Sequence, residues 1–148
     1  MRPSFSLADL LPHRPPMILL DEIVELDVAQ RAMTTGFRAR EGWTGNWVAI
    51  EYMAQTAAAL AGAFDRLEDA ARPARPGFLL GTRHLSLKLP RFEAGARYRV
   101  MAQCVFEDAN AASFACEITD DQGAVVATAT LNAFRPDDVA AFLQEMTR

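Results

Sequence analysis

The segment 47–68 constrains the fold of this chain more than any other part of its sequence. It has the length of one helix of about six turns, and before Asp65 its apolar character is interrupted mainly by Glu51, Gln55 and Thr56. A helix without a polar face is buried on all sides in a soluble protein. The rest of the chain must therefore supply the structure that surrounds it.

The segments on both sides of this helix have the patterns of β-strands. Two strands are predicted before it, at 17–27 and 29–39, and four after it, at 85–89, 97–106, 112–119 and 124–134. Closely spaced strands joined by turns favour an antiparallel sheet. We therefore predict an α+β hot-dog fold, an antiparallel sheet wrapped around a long central helix, as a single domain over 1–148.

Alternation within the strands predicts which side chains point inward. The inward sets are Leu85, Leu87 and Leu89 in one strand, Tyr98, Val100, Ala102, Cys104 and Phe106 in the next, and Phe114, Cys116 and Ile118 in a third. Short helices are expected at both ends, at 7–10 after a Ser6 cap and at 136–147.

Composition excludes several classes of function. A formal net charge of −4 argues against binding to nucleic acid, and no uninterrupted apolar run is long enough to cross a membrane. The N-terminal residues lack the pattern of a signal peptide, so a cytoplasmic protein is expected. No metal or cofactor motif is found. Cys104 and Cys116 would face each other if a hairpin turned near Asn110, although two reduced thiols are favoured in a cytosolic protein.

Glu51 is the candidate catalytic residue. It is the only charged residue between Gly42 and Phe64, and a carboxyl group in a buried helix is suited to general acid or base chemistry. Gln55 lies four residues later on the same face and could hold the carboxyl group in place. The alternative is a structural glutamate that an arginine or the backbone satisfies.

Two further positions have both a functional and a structural interpretation. His13 lies between prolines in the segment 12–16 and is either a catalytic base or a structural hydrogen-bonding residue. Trp47, beside Trp43 at the start of the helix, either forms part of the wall of an acyl channel or packs in the core or at a dimer interface.

The sequence resembles a known enzyme family in three segments, PHRPPMILLDEIVEL, AIEYMAQTAAALAG and GFLLGTRHLSLKLPRFEAGARYRV. They are similar to the hot-dog β-hydroxyacyl-(acyl carrier protein) dehydratases, and most of all to the divergent members found in aryl-polyene biosynthesis clusters. The resemblance covers roughly residues 10–135. It implies dehydration of a 3-hydroxyacyl thioester in fatty-acid or polyene-type biosynthesis, with Glu51 assisting departure of the hydroxyl group and Gly81 near the substrate.

One departure from the family matters. The family's catalytic histidine lies in a His-Phe-Pro-Gly loop before the helix, whereas residues 38–51 of this chain contain no histidine. The base is therefore open: His13, Glu51 itself or a residue of a partner chain. A hot-dog thioesterase and a non-catalytic subunit paired with a histidine-bearing partner are the alternative functions.

The resemblance also implies partners. Hot-dog chains generally form dimers, here a homodimer or a heterodimer, and the substrate would arrive on acyl carrier protein, whose surface is acidic. Between Arg72 and Arg99 there are seven basic residues and one acidic residue, which favours a specific acidic partner. We assign docking to Arg72, Arg75 and Arg91, here called the docking arginines. The alternative is that they are solvated surface positions.

Overall fold

The structure is a computed structural model that describes residues 6–12, 17–71, 77–136 and 139–147. Its elements, in chain order, are α1 (Leu7–Leu10), β1 (Glu22–Asp27), β2 (Ala32–Arg38), a 3-10 turn (Asn46–Val48), α2 (Ala49–Glu68), β3 (Phe78–Leu87), β4 (Arg97–Asp108), β5 (Ala111–Asp120), β6 (Val125–Phe134) and α3 (Val139–Met146).

The six strands form one antiparallel sheet in the order β1-β2-β4-β5-β6-β3. Helix α2 packs against β2, β4, β5 and β6, so the sheet wraps around the helix and the predicted α+β hot-dog fold is confirmed. Strand β3 follows the helix but pairs with β6, which leaves β3 and β1 as the two edges. No helix within the described ranges is both long and apolar enough to span a membrane.

The core at the start of α2 is aromatic. The ring of Phe37 stacks on Tyr52, with centroids 3.6 Å apart, and on Tyr98 at 5.3 Å, while Phe92 meets all three rings edge-on. The Tyr98 hydroxyl accepts a hydrogen bond from the backbone N–H of Glu93. This cluster fixes the first turn of α2, which carries Glu51, against strands β2 and β4.

Several strand predictions were wrong in their bounds or faces. The first predicted strand, 17–27, begins only at Glu22, because residues 17–19 bind a side chain of α2 instead of a neighbouring strand. Strand β3 begins at Phe78 and contains an irregularity between Arg83 and Ser86. His84 adopts a φ of 54° there, and Leu85 is exposed rather than buried.

A similar irregularity interrupts β4 near its end. The register shifts between Cys104 and Phe106, and Phe106 is exposed although it was predicted to point inward. Cys116 lies opposite Ala102, and Cys104 lies opposite Phe114. The two cysteines therefore do not face each other, and both are free thiols.

Helix α2 is also less buried than its composition predicts. Most of its residues are buried, but one stripe along its length is half-buried. This stripe consists of Glu51, Ala54, Ala58, Ala61 and Phe64. Its spacing of three and four residues makes it one continuous face of the helix, and it is the face on which the candidate site lies.

Candidate functional site

The half-buried stripe of α2 forms one wall of a groove of about 890 Å³. Residues of β3, β5 and β6, including Leu79, Phe114 and Leu131, line the opposite wall. Between Glu51 and Phe64 the helix contributes only alanines and Leu60 to the lining. The groove therefore has one carboxyl group near the start of α2 and a slender apolar channel beyond it. Such a space suits an extended alkyl chain better than a compact polar ligand.

Gln55 organises the end of the groove that contains Glu51. Its side chain is fully buried, and its Nε2 donates to Glu51 Oε1 at 2.8 Å and to the carbonyl oxygen of Met17 at 2.7 Å. Its Oε1 accepts from the backbone N–H of Leu19 at 2.9 Å. One side chain thus fixes both the Glu51 carboxyl group and the segment 17–19. The contact expected between Gln55 and Glu51 is present, while the catalytic role of Glu51 stays a prediction.

Residues of the N-terminal part, up to Pro12, also contact α2 and the groove. Pro12 lines the groove, and the short helix α1 packs on α2 at Gly62, where an added Cβ would lie 2.6 Å from the carbonyl oxygen of Leu10. Gly62 therefore allows close approach of α1 to α2. His13 lies outside the described residues.

Charged residues gather at the far end of the groove. The guanidinium of Arg31 pairs with Glu107 and lies 4.6 Å from the centroid of the Phe64 ring. Arg135 binds both carboxylate oxygens of Asp65, at 2.7 and 3.2 Å. All five residues line the groove. No sequence pattern indicated this cluster, since its ion pairs join residues 76 and 70 positions apart in the chain.

The remaining predicted site residues lie elsewhere in the single chain. Trp47 is exposed and packs beside Trp43, Gly81 lies on the edge strand β3, and Arg91 is exposed and donates a hydrogen bond to Thr44. None of Trp47, Gly81 and Arg91 is among the groove-lining residues of the described ranges. Their assigned roles stay predictions, and Arg72 and Arg75 lie outside the described residues.

The thiols differ in their surroundings. Cys104 is half-buried and lines the groove, whereas Cys116 is buried behind it. Burial raises the pKa of the Cys116 thiol to about 12, so this group stays protonated and unreactive at neutral pH. Within the described part of the chain, no three histidine, cysteine or acidic side chains are grouped as metal ligands would be.

Residues 5–144 match the family described as ApeP-like, ApeP dehydratase. No curated protein sequence matches significantly. Among solved structures, a chain of the dehydratase heterocomplex ApeI:P from Xenorhabdus doucetiae superposes with a TM-score of 0.85 at 24% identity, over 99% of this chain and 100% of that chain. Its likeness shows the shared fold.

More distant structures share the fold as well. A hypothetical thioesterase with coenzyme A from Streptococcus pneumoniae has a TM-score of 0.59 at 12% identity, covering 78% of this chain and 84% of that one. A thioesterase-type protein related to phenylacetic acid degradation from Ralstonia eutropha has a TM-score of 0.59 at 23% identity, covering 76% and 82%.

Proposed function

The chain belongs to the ApeP-like dehydratase family, and on that premise we propose that it removes water from a 3-hydroxyacyl thioester on acyl carrier protein. We assign it to fatty-acid or polyene-type biosynthesis in the cytoplasm. The observation that carries the proposal is the position of Glu51 at one end of a narrow apolar groove, with its carboxyl group held by the buried Gln55.

The proposed step breaks two bonds and forms one π bond. A base takes the proton on the carbon next to the thioester, the electron pair forms the carbon–carbon double bond, and the hydroxyl group leaves with a proton from Glu51 as water. Glu51 is suited to this role because Gln55 orients its Oε1 while the carboxyl group lines the groove that would hold the acyl chain. An acid fixed beside the leaving group needs no reorientation during the reaction.

Because Glu51 acts as the acid in this proposal, two of the three candidate bases are left. His13 of the same chain is one candidate, supported by Pro12, which lines the groove, and by Met17, whose carbonyl oxygen binds the same Gln55 that holds Glu51. A histidine from a partner hot-dog subunit is the other. Assays of His13→Ala, alone and with a co-expressed hot-dog partner that carries its own histidine, distinguish the two candidates. Only the first candidate requires His13 for turnover.

We propose that the working unit is a dimer, either of two copies or of this chain with another hot-dog subunit. The edge strand β3 exposes Leu79, Leu80 and Leu85, and an apolar edge strand is a surface that proteins normally cover. The similar Xenorhabdus doucetiae chain belongs to a dehydratase heterocomplex, which supports the heterodimer. Trp47 and Gly81, both away from the groove of one chain, would contact substrate only if the second subunit completes the site.

The test is conversion of a 3-hydroxyacyl carrier protein to its enoyl form, measured by the mass loss of water. We expect Glu51→Gln to reduce turnover by at least about a hundredfold with the fold unchanged, and the control Glu25→Gln, an exposed glutamate on β1, to match wild type. The chain is assayed alone and with a co-expressed hot-dog partner.

The same assay separates the alternatives. Full activity of Glu51→Gln would refute the role of Glu51. Release of free thiol without an enoyl product would instead identify a thioesterase. Inactivity of the chain in every combination, together with unchanged partner activity when Glu51 is replaced, would identify a subunit that only supports its partner.

A further inference from the structure

The groove beside α2 changes character abruptly along its length. From Ala54 to Ala61 its helix wall is apolar, whereas Asp65 and Glu68 follow directly after Phe64. The other charged side chains that line this end are Arg31, Glu107, Asp108 and Arg135. Transfer of an apolar chain out of water is favourable where the chain contacts apolar side chains. Contact with the ion pairs would instead remove water from charged groups, which is unfavourable. The charged end is therefore a boundary for an alkyl chain.

The length of the apolar stretch follows from helix geometry. Glu51 and Phe64 are thirteen residues apart, so at 1.5 Å per residue they are separated by roughly 20 Å along the helix axis. An extended chain advances about 1.2 Å per bond. The stretch thus accommodates an alkyl chain of roughly 16 bonds when the reacting carbons lie at Glu51.

Arg31 lines this end from the side of the sheet. It lies in the turn between β1 and β2 with a φ of 52°, a left-handed conformation that is uncommon for residues other than glycine. Its guanidinium is held twice, by the ion pair with Glu107 and by stacking over the Phe64 ring. A side chain that is held at two points resists displacement by an incoming chain end more than a free surface arginine does.

We infer that Arg31, fixed by Glu107 and Phe64, closes the far end of the groove and limits the length of the acyl chain that the protein accepts. This inference rests on the proposed function, because it assumes that the groove holds the acyl chain of the substrate. It adds that the preferred substrates carry chains that end before Phe64, and that Arg31 selects their length.

The experiment measures affinity instead of turnover. Pantetheine amides of straight-chain acids of increasing length are titrated by calorimetry into the assembly that the chain forms on purification. Each added methylene inside an apolar groove raises affinity by roughly fourfold. For wild type we expect this rise to stop at the length that reaches Phe64. For Arg31→Asn, which tolerates the left-handed backbone, we expect the rise to continue over further methylenes.

Two companion variants make the result interpretable. Glu107→Ala removes the partner of Arg31 from an exposed position on β4, so it should shift the limit in the same direction even if Arg31→Asn does not fold. Arg97→Asn removes an exposed arginine that does not line the groove in the described structure, and it should keep the wild-type limit.

The outcomes separate this inference from the proposed function. If the amides bind but the length limit is the same in wild type, Arg31→Asn and Glu107→Ala, Arg31 does not set the limit and the dehydratase proposal is untouched. If amides of every length fail to bind wild type, both alone and in complex with a co-expressed hot-dog partner, the groove does not hold acyl chains, and both proposals are overturned.

Discussion

Replacement of Gln55 with methionine tests the hydrogen-bond network on which the proposed site depends. The two side chains have similar volume, but methionine provides neither the acceptor for the Leu19 N–H nor the donors for Met17 and Glu51. The substitution therefore removes three hydrogen bonds while leaving the packing around α2 nearly filled. Any large effect must come from the lost polar contacts.

The expected loss of stability can be worked out from the burial of the three partners. Leu19 is buried, so water cannot replace its acceptor and the unpaired N–H costs about 1–3 kcal/mol. Met17 is 46% exposed and Glu51 is half-buried, so water replaces Gln55 there and each lost bond costs about 1 kcal/mol or less. The free energy of unfolding should fall by about 2–4 kcal/mol, which lowers the Tm of a domain this size by roughly 5–15 °C.

The measurement is thermal and denaturant unfolding followed by circular dichroism, with Gln103→Met as the control. Gln103 donates only one hydrogen bond, to the carbonyl oxygen of Gln30 at an exposed position, and its replacement should cost less than about 1 kcal/mol. A Tm for Gln55→Met within about 2 °C of the control would refute the reasoning.

Gln55 also positions Glu51, and this role has its own readout. At a temperature where the variant is fully folded, we expect kcat to fall by roughly tenfold to a hundredfold with little change in KM, because misplacement of a catalytic group affects the chemical step. A loss in KM alone would indicate that Gln55 shapes the groove without orienting the carboxyl group.

Several other perturbations have outcomes set by the same structure. Gly62→Ala should lower the free energy of unfolding by about 1–3 kcal/mol, because its Cβ would meet the Leu10 carbonyl oxygen. Gly81→Ala is the control and should leave single-chain stability unchanged, because no atom lies within 4 Å of the added methyl group. Equal effects of the two substitutions in unfolding titrations would contradict this. Because burial raises the pKa of Cys116 from 9.0 to about 12, the unfolded state loses that proton first, and stability should fall as pH rises through this range, with a smaller slope in Cys116→Ala. Iodoacetamide should label the native protein at Cys104 and spare Cys116, as mass spectrometry of peptides would show. Reversal of the docking arginines to glutamate should raise KM for carrier-bound substrate but not for a pantetheine thioester, and the difference should shrink with salt; equal effects on both substrates would exclude docking.

The long helix and the succession of strands along the chain could be predicted because each depends on local patterns. An apolar segment of this length has few alternatives, and the turn at 120–123 is marked by Gly123, whose φ is 83°. The contact between Gln55 and Glu51 was predictable for the same reason, since residues four apart on a helix are neighbours. What these features share is that sequence separation alone fixes their geometry.

The features that sequence patterns missed depend on distant parts of the chain or on local irregularities. An irregularity in β3 turns Leu85 to the surface, and alternation of apolar residues cannot reveal where such a shift occurs. The charged end of the groove combines Arg31, Phe64 and Glu107 from three separate parts of the fold. Composition likewise could not show that one face of α2 is half-buried, since alanine is compatible with both environments.

The alanines on that face keep the groove open. Elsewhere on the same helix, Tyr52 and Met53 fill the core and are almost completely buried. A large side chain at Ala54, Ala58 or Ala61 would fill the groove and gain about 1.5–3 kcal/mol by burial. The chain lacks this contribution to stability at three successive turns, although alanine is a strong helix-forming residue. Leucine at these positions would close the groove, so the alanines leave room for the acyl chain that we propose it holds.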